Sequence, residues 1–164
     1  METITLTFDF TNLQNTLDGF INDFIDTYKR YLIRDNKKAS GNLIRSLKPV
    51  SIKFSNNKIQ GEIYIAEYWK YVEYGRRPGK FPPIDKILNW IKVKPVLPRP
   101  MNGLKPPTEK QLAFIISRKI ARDGIPAGNQ YTDALNETWN RWEQRISNAI
   151  TEDLNTIVDL VTFL

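Results

Sequence analysis

The sequence predicts an α+β fold: a long N-terminal helix, a small antiparallel sheet with a β-hairpin, short middle helices and a long C-terminal helix. Three observations carry this prediction. Apolar residues recur with helical period over residues 11–34 and again over 132–162. Between them, two alternating segments flank the turn-rich tetrapeptide Ser55-Asn56-Asn57-Lys58. Eight of the ten prolines then fall between residues 78 and 107, which confines the middle of the chain to short elements and loops.

Residues 2–10 alternate, with Ile4, Leu6, Phe8 and Phe10 on one face, the pattern of a half-buried strand. Thr11 and Gln14 have the spacing of a capping box. Leu13, Leu17, Phe20, Ile21, Phe24, Ile25, Tyr28 and Leu32 then form the apolar stripe of a helix ending near Arg34. Leu43, Ile44 and Leu47 suggest a short helical turn closed by Pro49. Residues 50–54 and 59–65 make the hairpin. The aromatic segment 66–74 is helix-compatible, with Gly75 as its αL stop. Ile84, Ile87, Leu88 and Ile91 make a short helix, with Pro83 expected at its first position.

Pro95, Pro98, Pro100, Pro106 and Pro107 then impose an extended loop over 94–107, expected to order against a neighbouring molecule. Thr108 and Gln111 predict a second capping box, Leu112, Ile115, Ile116 and Ile120 a buried stripe, and Gly124 a C-cap. The last helix opens with Thr132 as its cap. Its stripe runs from Leu135 through Trp139, Trp142, Ile146, Ile150, Leu154, Ile157 and Val158 to Val161. At 1.5 Å per residue it spans roughly 43 Å, more than a domain of this size needs for its own core. The expected organisation is a core at 1–130, containing the loop 94–107, and a C-terminal helical arm at 131–164.

The 164 residues include neither cysteine nor histidine. That excludes disulfides, thiolate metal sites and thiol nucleophiles, and with them catalysis through a Ser-His-Asp triad. No phosphate-cradling glycine motif occurs. An enzyme would have to work with Asp, Glu, Lys, Tyr or Ser alone, as a hydrolase with two carboxylates does, and Glu62, Glu67 and Glu73 match no known ligand set. The expectation is a non-catalytic protein without cofactor or metal. No apolar run reaches the ~20 residues of a membrane span, and the N-terminus lacks the basic region and apolar run of a signal peptide. A cytoplasmic site of synthesis follows as the expectation.

The net charge of +6 is unevenly spread: residues 1–75 carry +1, residues 76–122 carry +10 and residues 123–164 carry −5. A basic block of this density suits a polyanion. Equally, it suits the acidic block of a neighbouring copy; plain solvated surface is the third possibility. The densest constellation is Glu73-Tyr74-Gly75-Arg76-Arg77-Pro78-Gly79-Lys80-Phe81-Pro82-Pro83, a shaped cationic loop. Arg76, Arg77 and Lys80, with Arg99 and Lys105 in the Pro-rich segment, are the candidates for an interface or DNA-facing surface. Trp139, Trp142, Ile150, Leu154 and Val158 are the candidates for an oligomer interface.

Three motifs follow one another in a recognisable order: Ser40-Gly41-Asn42-Leu43 with Ser46-Leu47, then Tyr71-Val72-Glu73-Tyr74-Gly75-Arg76, then Leu112-Ala113-Phe114 with Ile120-Ala121-Arg122-Asp123-Gly124. With the long helix before them and Pro82-Pro83 and Trp90-Ile91 between, this order resembles the tail-completion or neck proteins of tailed bacteriophages, the head–tail joining or minor tail components. The resemblance covers about residues 11–125. It implies a structural virion protein assembled in the host cytoplasm, a homo-oligomeric ring of six or twelve copies in the head–tail connector. Portal-side and tail-side proteins would be its partners, with DNA in the lumen. The Pro-rich segment and the long last helix exceed what the family pattern needs. The rival expectation is a non-catalytic nucleic-acid-binding protein using the 76–122 block directly.

Overall fold

Residues 9–55, 58–94, 96–98, 100 and 105–162 are described by a computed structural model of the chain. The α+β class holds: 64% of the described residues are helical, with small antiparallel ladders. The elements are α1 (Thr11–Arg34), α2 (Asn42–Ser46), β1 (Lys48–Pro49), β2 (Lys53–Ser55), β3 (Lys58–Gln60), β4 (Ile63–Tyr64), α3 (Trp69–Tyr74), α4 (Ile84–Val93), α5 (Glu109–Asp123) and α6 (Gln130–Thr162). The strand expected over 2–10 lies almost wholly outside the described residues, as do Arg99 and parts of the Pro-rich segment 94–107.

Two compact units form, and they do not follow the expected division at residue 130. One contains residues up to 31, 47–64 and 131–164; the other contains 32–46 and 65–130. The last helix is therefore not a separate arm. It shares a core with α1 and the hairpin, because its apolar stripe finds a partner stripe within the same unit.

In the first unit, Leu13, Ile21, Phe24, Ile25 and Tyr28 of α1 are buried, as are Ala134, Ile146 and Ala149 of α6. Tyr131 stands edge-on to both Phe24 and Tyr28, with ring centroids at 5.1 and 5.6 Å. The hairpin is interrupted. β1 pairs with β4 and β2 with β3, and between Pro49↔Ile63 and Lys53↔Gln60 residues 50–52 face only 61 and 62. This extra residue is a bulge; it turns Ile52 into the core. Pro49 is the second and last residue of strand β1, and α2 has already ended at Ser46. Opposite the bulge, a Cβ on Gly61 would lie 2.6 Å from Ile21 Cδ1, so the hairpin approaches α1 where it has no side chain.

Helix α1 starts at Thr11 itself, so the cap position moves one residue back to Phe10. Its first backbone acceptor is the Phe10 carbonyl, bound by Gln14 N–H at 2.9 Å, and the Thr11 hydroxyl donates to Asp9. The Thr11–Gln14 capping box does not form. Instead the carboxylate of Asp153, buried on α6, accepts from the Asn12 and Leu13 amides at 3.3 and 2.9 Å. A distant side chain thus caps the helix and meets the positive end of its dipole. Similarly, α6 begins at Gln130, which places Thr132 inside the first turn and not at the cap.

In the second unit, α4 and α5 pack on each other. Ile91, Ala113 and Ser117 are buried there; the last two are small and permit a close approach. The predicted capping box at Thr108 and Gln111 is present in full. Pro83, expected at the first helical position, is instead the N-cap of α4, whose first residue is Ile84.

Candidate functional site

The cationic loop grows out of α3, whose last residues are Glu73 and Tyr74. Glu73 is only 1% exposed, and its carbonyl accepts from the Gly128 and Asn129 amides at 2.8 and 3.2 Å. The chain then leaves the helix through Gly75 at φ 69°, ψ −154°. That is positive φ but not the αL conformation expected; the region is open essentially to glycine alone. Gly124, after α5, has nearly the same conformation at φ 75°, ψ −162°.

The two glycines lie on facing strands. Arg76 and Ile125 exchange both backbone hydrogen bonds at 2.8 Å, the only isolated bridge among the described residues. A Cβ on Gly75 would fall 2.2 Å from the Ile125 carbonyl oxygen, and one on Gly124 would fall 2.3 Å from that of Arg76. Gly79 N–H donates to the Ala121 carbonyl at 2.8 Å and closes the loop. Segments 73–79 and 121–129 are thereby clamped backbone to backbone.

What this clamp presents differs from the expectation in one residue. The Arg76 guanidinium is half-buried and donates to the Lys80 carbonyl, so it shapes the loop it belongs to. Arg77 and Lys80 are exposed. Neither makes an ion pair among the described residues, so two cations stand on a fixed backbone without a carboxylate of their own. Lys105 is also exposed, at the start of the stretch leading into α5.

The α6 candidates divide as well. Trp142 belongs to its own unit. Its ring lies where a Cβ on Gly19 would be, 2.5 Å away, and its indole N–H donates to Asp23 at 2.7 Å. Arg145 stacks over the ring at 5.0 Å. It is therefore withdrawn from the expected oligomer interface. Trp139 stands edge-on to Phe20 at 6.2 Å yet remains 48% exposed. Ile150, Leu154 and Val158 are exposed too, Leu154 at 48% and Val158 at 61%. These four are the large apolar side chains α6 shows to solvent among the described residues.

Trp142 is one member of a polar seam between α1 and α6 that the sequence did not reveal. Arg141 binds Asp23 at 2.9 Å, together with Thr27 and Glu137. Glu137 also accepts from Tyr31 and Arg30, each at 2.6 Å. The Tyr31 hydroxyl, reinforced by the two guanidinium groups, holds the Glu137 carboxyl down at about 2, below its ordinary 4.5. Burial works upward on Asp23, but hydrogen bonds from Trp142 and Arg141 outweigh it and leave that carboxyl below 3.8. The same side chains stitch the unit together, so the seam is structural chemistry.

Helix α5 corrects one further expectation. Ile115, assigned to its buried stripe, is 46% exposed, beside Phe114 at 49%. The signal was legible: Ala113 and Ser117 define the buried face with Ile116 and Ile120, and at 100° per residue Ile115 falls outside it.

Among the described residues no cluster of acidic groups is placed to hold a metal ion, and no helix is long and apolar enough to cross a membrane. Comparison of the chain with known protein families, curated proteins and solved structures finds no match.

Proposed function

We propose that this chain is a non-catalytic structural subunit of a tailed-phage neck, assembling as a ring in the head–tail connector around the DNA channel. The observation that carries the reading is the clamped loop. It coincides with the motif Tyr71–Arg76 on which the resemblance to neck proteins rests, and it holds Arg77 and Lys80 on a fixed backbone with no ion-pair partner among the described residues. A preorganised cationic element loses little entropy when it meets an acidic partner or DNA phosphates. Trp139, Ile150, Leu154 and Val158 supply exposed apolar surface of the kind an assembled subunit covers. Portal-side and tail-side proteins are the partners this reading requires.

The rival, a free nucleic-acid-binding protein, draws on the same cations and on exposed Phe81, Trp90 and Phe114 in the basic block. Light scattering and electron microscopy of the purified chain, alone and with portal and tail components, separate the two. Rings with a central opening support the neck reading. A chain that stays monomeric with every component, and binds short DNA with a steep salt dependence, overturns it in favour of the rival.

A further inference from the structure

Two exposed apolar surfaces of this chain carry opposite charge. The first lies on α6. At 100° per residue, Trp139, Glu143, Ile150 and Leu154 fall on one side of the helix, and Val158 lies at its border. Around that side the exposed ionisable residues are Glu143 and Asp133, with no lysine or arginine; Asp153 is buried against α1, and Arg141 and Arg145 point elsewhere. It is an apolar row with an acidic edge.

The second lies in the other unit. Pro107, Phe114 and Ile115 line a shallow open groove along α5, with Lys105, Lys110 and Gln111 completing it. Arg118 is exposed one turn beyond Phe114. The three cations make no ion pair among the described residues, and the acidic Asp123 near the helix end is already bound to Arg122 at 2.6 Å. It is an apolar groove with a basic rim. Phe81 braces the Phe114 ring from one side, centroids 5.7 Å apart, so the groove wall is partly preformed.

We propose that the Trp139–Glu143–Ile150–Leu154 row of α6 seats in the Phe114–Ile115 groove of a second copy of this chain. The row supplies the ridge of an amphipathic helix, and the groove supplies the apolar floor that such a ridge requires. Glu143 meets the Lys110 and Arg118 side of the groove, and this charge match selects the partner copy over an arbitrary apolar surface. Because row and groove are different surfaces, the contact is heterologous: every copy offers one of each, and association propagates from copy to copy. The inference deepens the ring reading by naming its contact, and rests on it for the expectation that the chain of contacts closes.

The test uses the whole chain and two variants, Ile115→Asp and Leu154→Asp, at exposed positions. Thermal unfolding within a few degrees of the unmodified protein establishes that each folds. By sedimentation velocity, the unmodified chain is expected to grow in mean mass with concentration, while each variant alone stays at the 19.1 kDa monomer. Mixed at equal concentration, the two variants are expected to form a 1:1 dimer and nothing larger, since the mixture contains one intact row and one intact groove. Glu143→Lys and Lys110→Glu, each weakening association at least tenfold, are expected to restore it when combined in one chain. If rings form and both Asp variants still make them, this contact is wrong and the ring reading stands. If the variants behave as expected but the unmodified chain gives open filaments, the contact stands and the ring falls. An unmodified chain that is monomeric throughout overturns the contact; the ring reading falls with it only if the chain also stays monomeric with portal and tail components. Loss of short-DNA binding in Ile115→Asp, with association unchanged, makes the groove a nucleic-acid surface and overturns the contact.

Discussion

The α1–α6 seam and the loop after α3 are both held by dense hydrogen bonding, and they are built by opposite means. In the seam, side chains do the fixing: two apolar stripes meet, and Asp23, Glu137, Arg30, Arg141, Tyr31 and Trp142 close the edge. In the loop the backbone does it: Arg76 and Ile125 pair, and Gly75 and Gly124 leave room for each other's strand. The difference determines where each region tolerates change. A backbone clamp fails when a Cβ is added but is indifferent to the charges it displays. A side-chain seam tolerates local backbone adjustment but responds to every lost partner and to pH.

The sharpest way to break the contrast is at the clamp. Gly75→Ala or Gly124→Ala places a Cβ against a facing carbonyl and forces a conformation alanine avoids, so about 3 kcal/mol or more of stability should be lost. Urea unfolding measures the loss, and hydrogen exchange at the Arg76 and Ile125 amides should accelerate. An unchanged midpoint would mean that the two segments are not held backbone to backbone.

Next comes Asp153, whose removal strands two amides at the start of α1. Asp153→Ala should cost about 2 kcal/mol, and Asp153→Asn should recover part of it, because an amide oxygen still accepts but without charge. Equal losses in both variants would assign the effect to packing.

The seam should also report itself through pH. Glu137 has its folded-state value depressed to about 2 from 4.5. Its contribution is therefore complete above about 4.5 and disappears as pH falls toward 2, where the unfolded chain takes up the proton first. About a third of the side chain is exposed, so solvent screening limits the effect to roughly 1 kcal/mol. Denaturant midpoints measured from pH 6 to pH 2.5 should slope for the unmodified chain and flatten for Glu137→Gln.

The smallest effect is expected where the cations are most conspicuous. Arg77→Ala with Lys80→Ala should shift stability by no more than about 0.5 kcal/mol while weakening binding to DNA or an acidic partner. Arg76→Ala should cost more than the pair together, since that guanidinium holds the Lys80 carbonyl. The reverse ranking would show that Arg77 and Lys80 serve the fold.

Much of this architecture was legible in local patterns. Helical period over 11–34 and 132–162, alternation around the Ser55–Lys58 turn, and the Thr108–Gln111 box all report interactions between residues a few positions apart, so the sequence alone determined the α+β class and nearly every element. It also determined that Gly75 and Gly124 end their helices and that the cations of 76–122 concentrate in one stretch. Tertiary structure decided what lies across long separations. Asp153 caps a helix 140 residues away, the hairpin acquires a bulge over α1, Trp142 turns inward over Gly19, and the last helix joins the core. None of these leaves a periodic trace, because each depends on which surface happens to face the residue once the chain has folded.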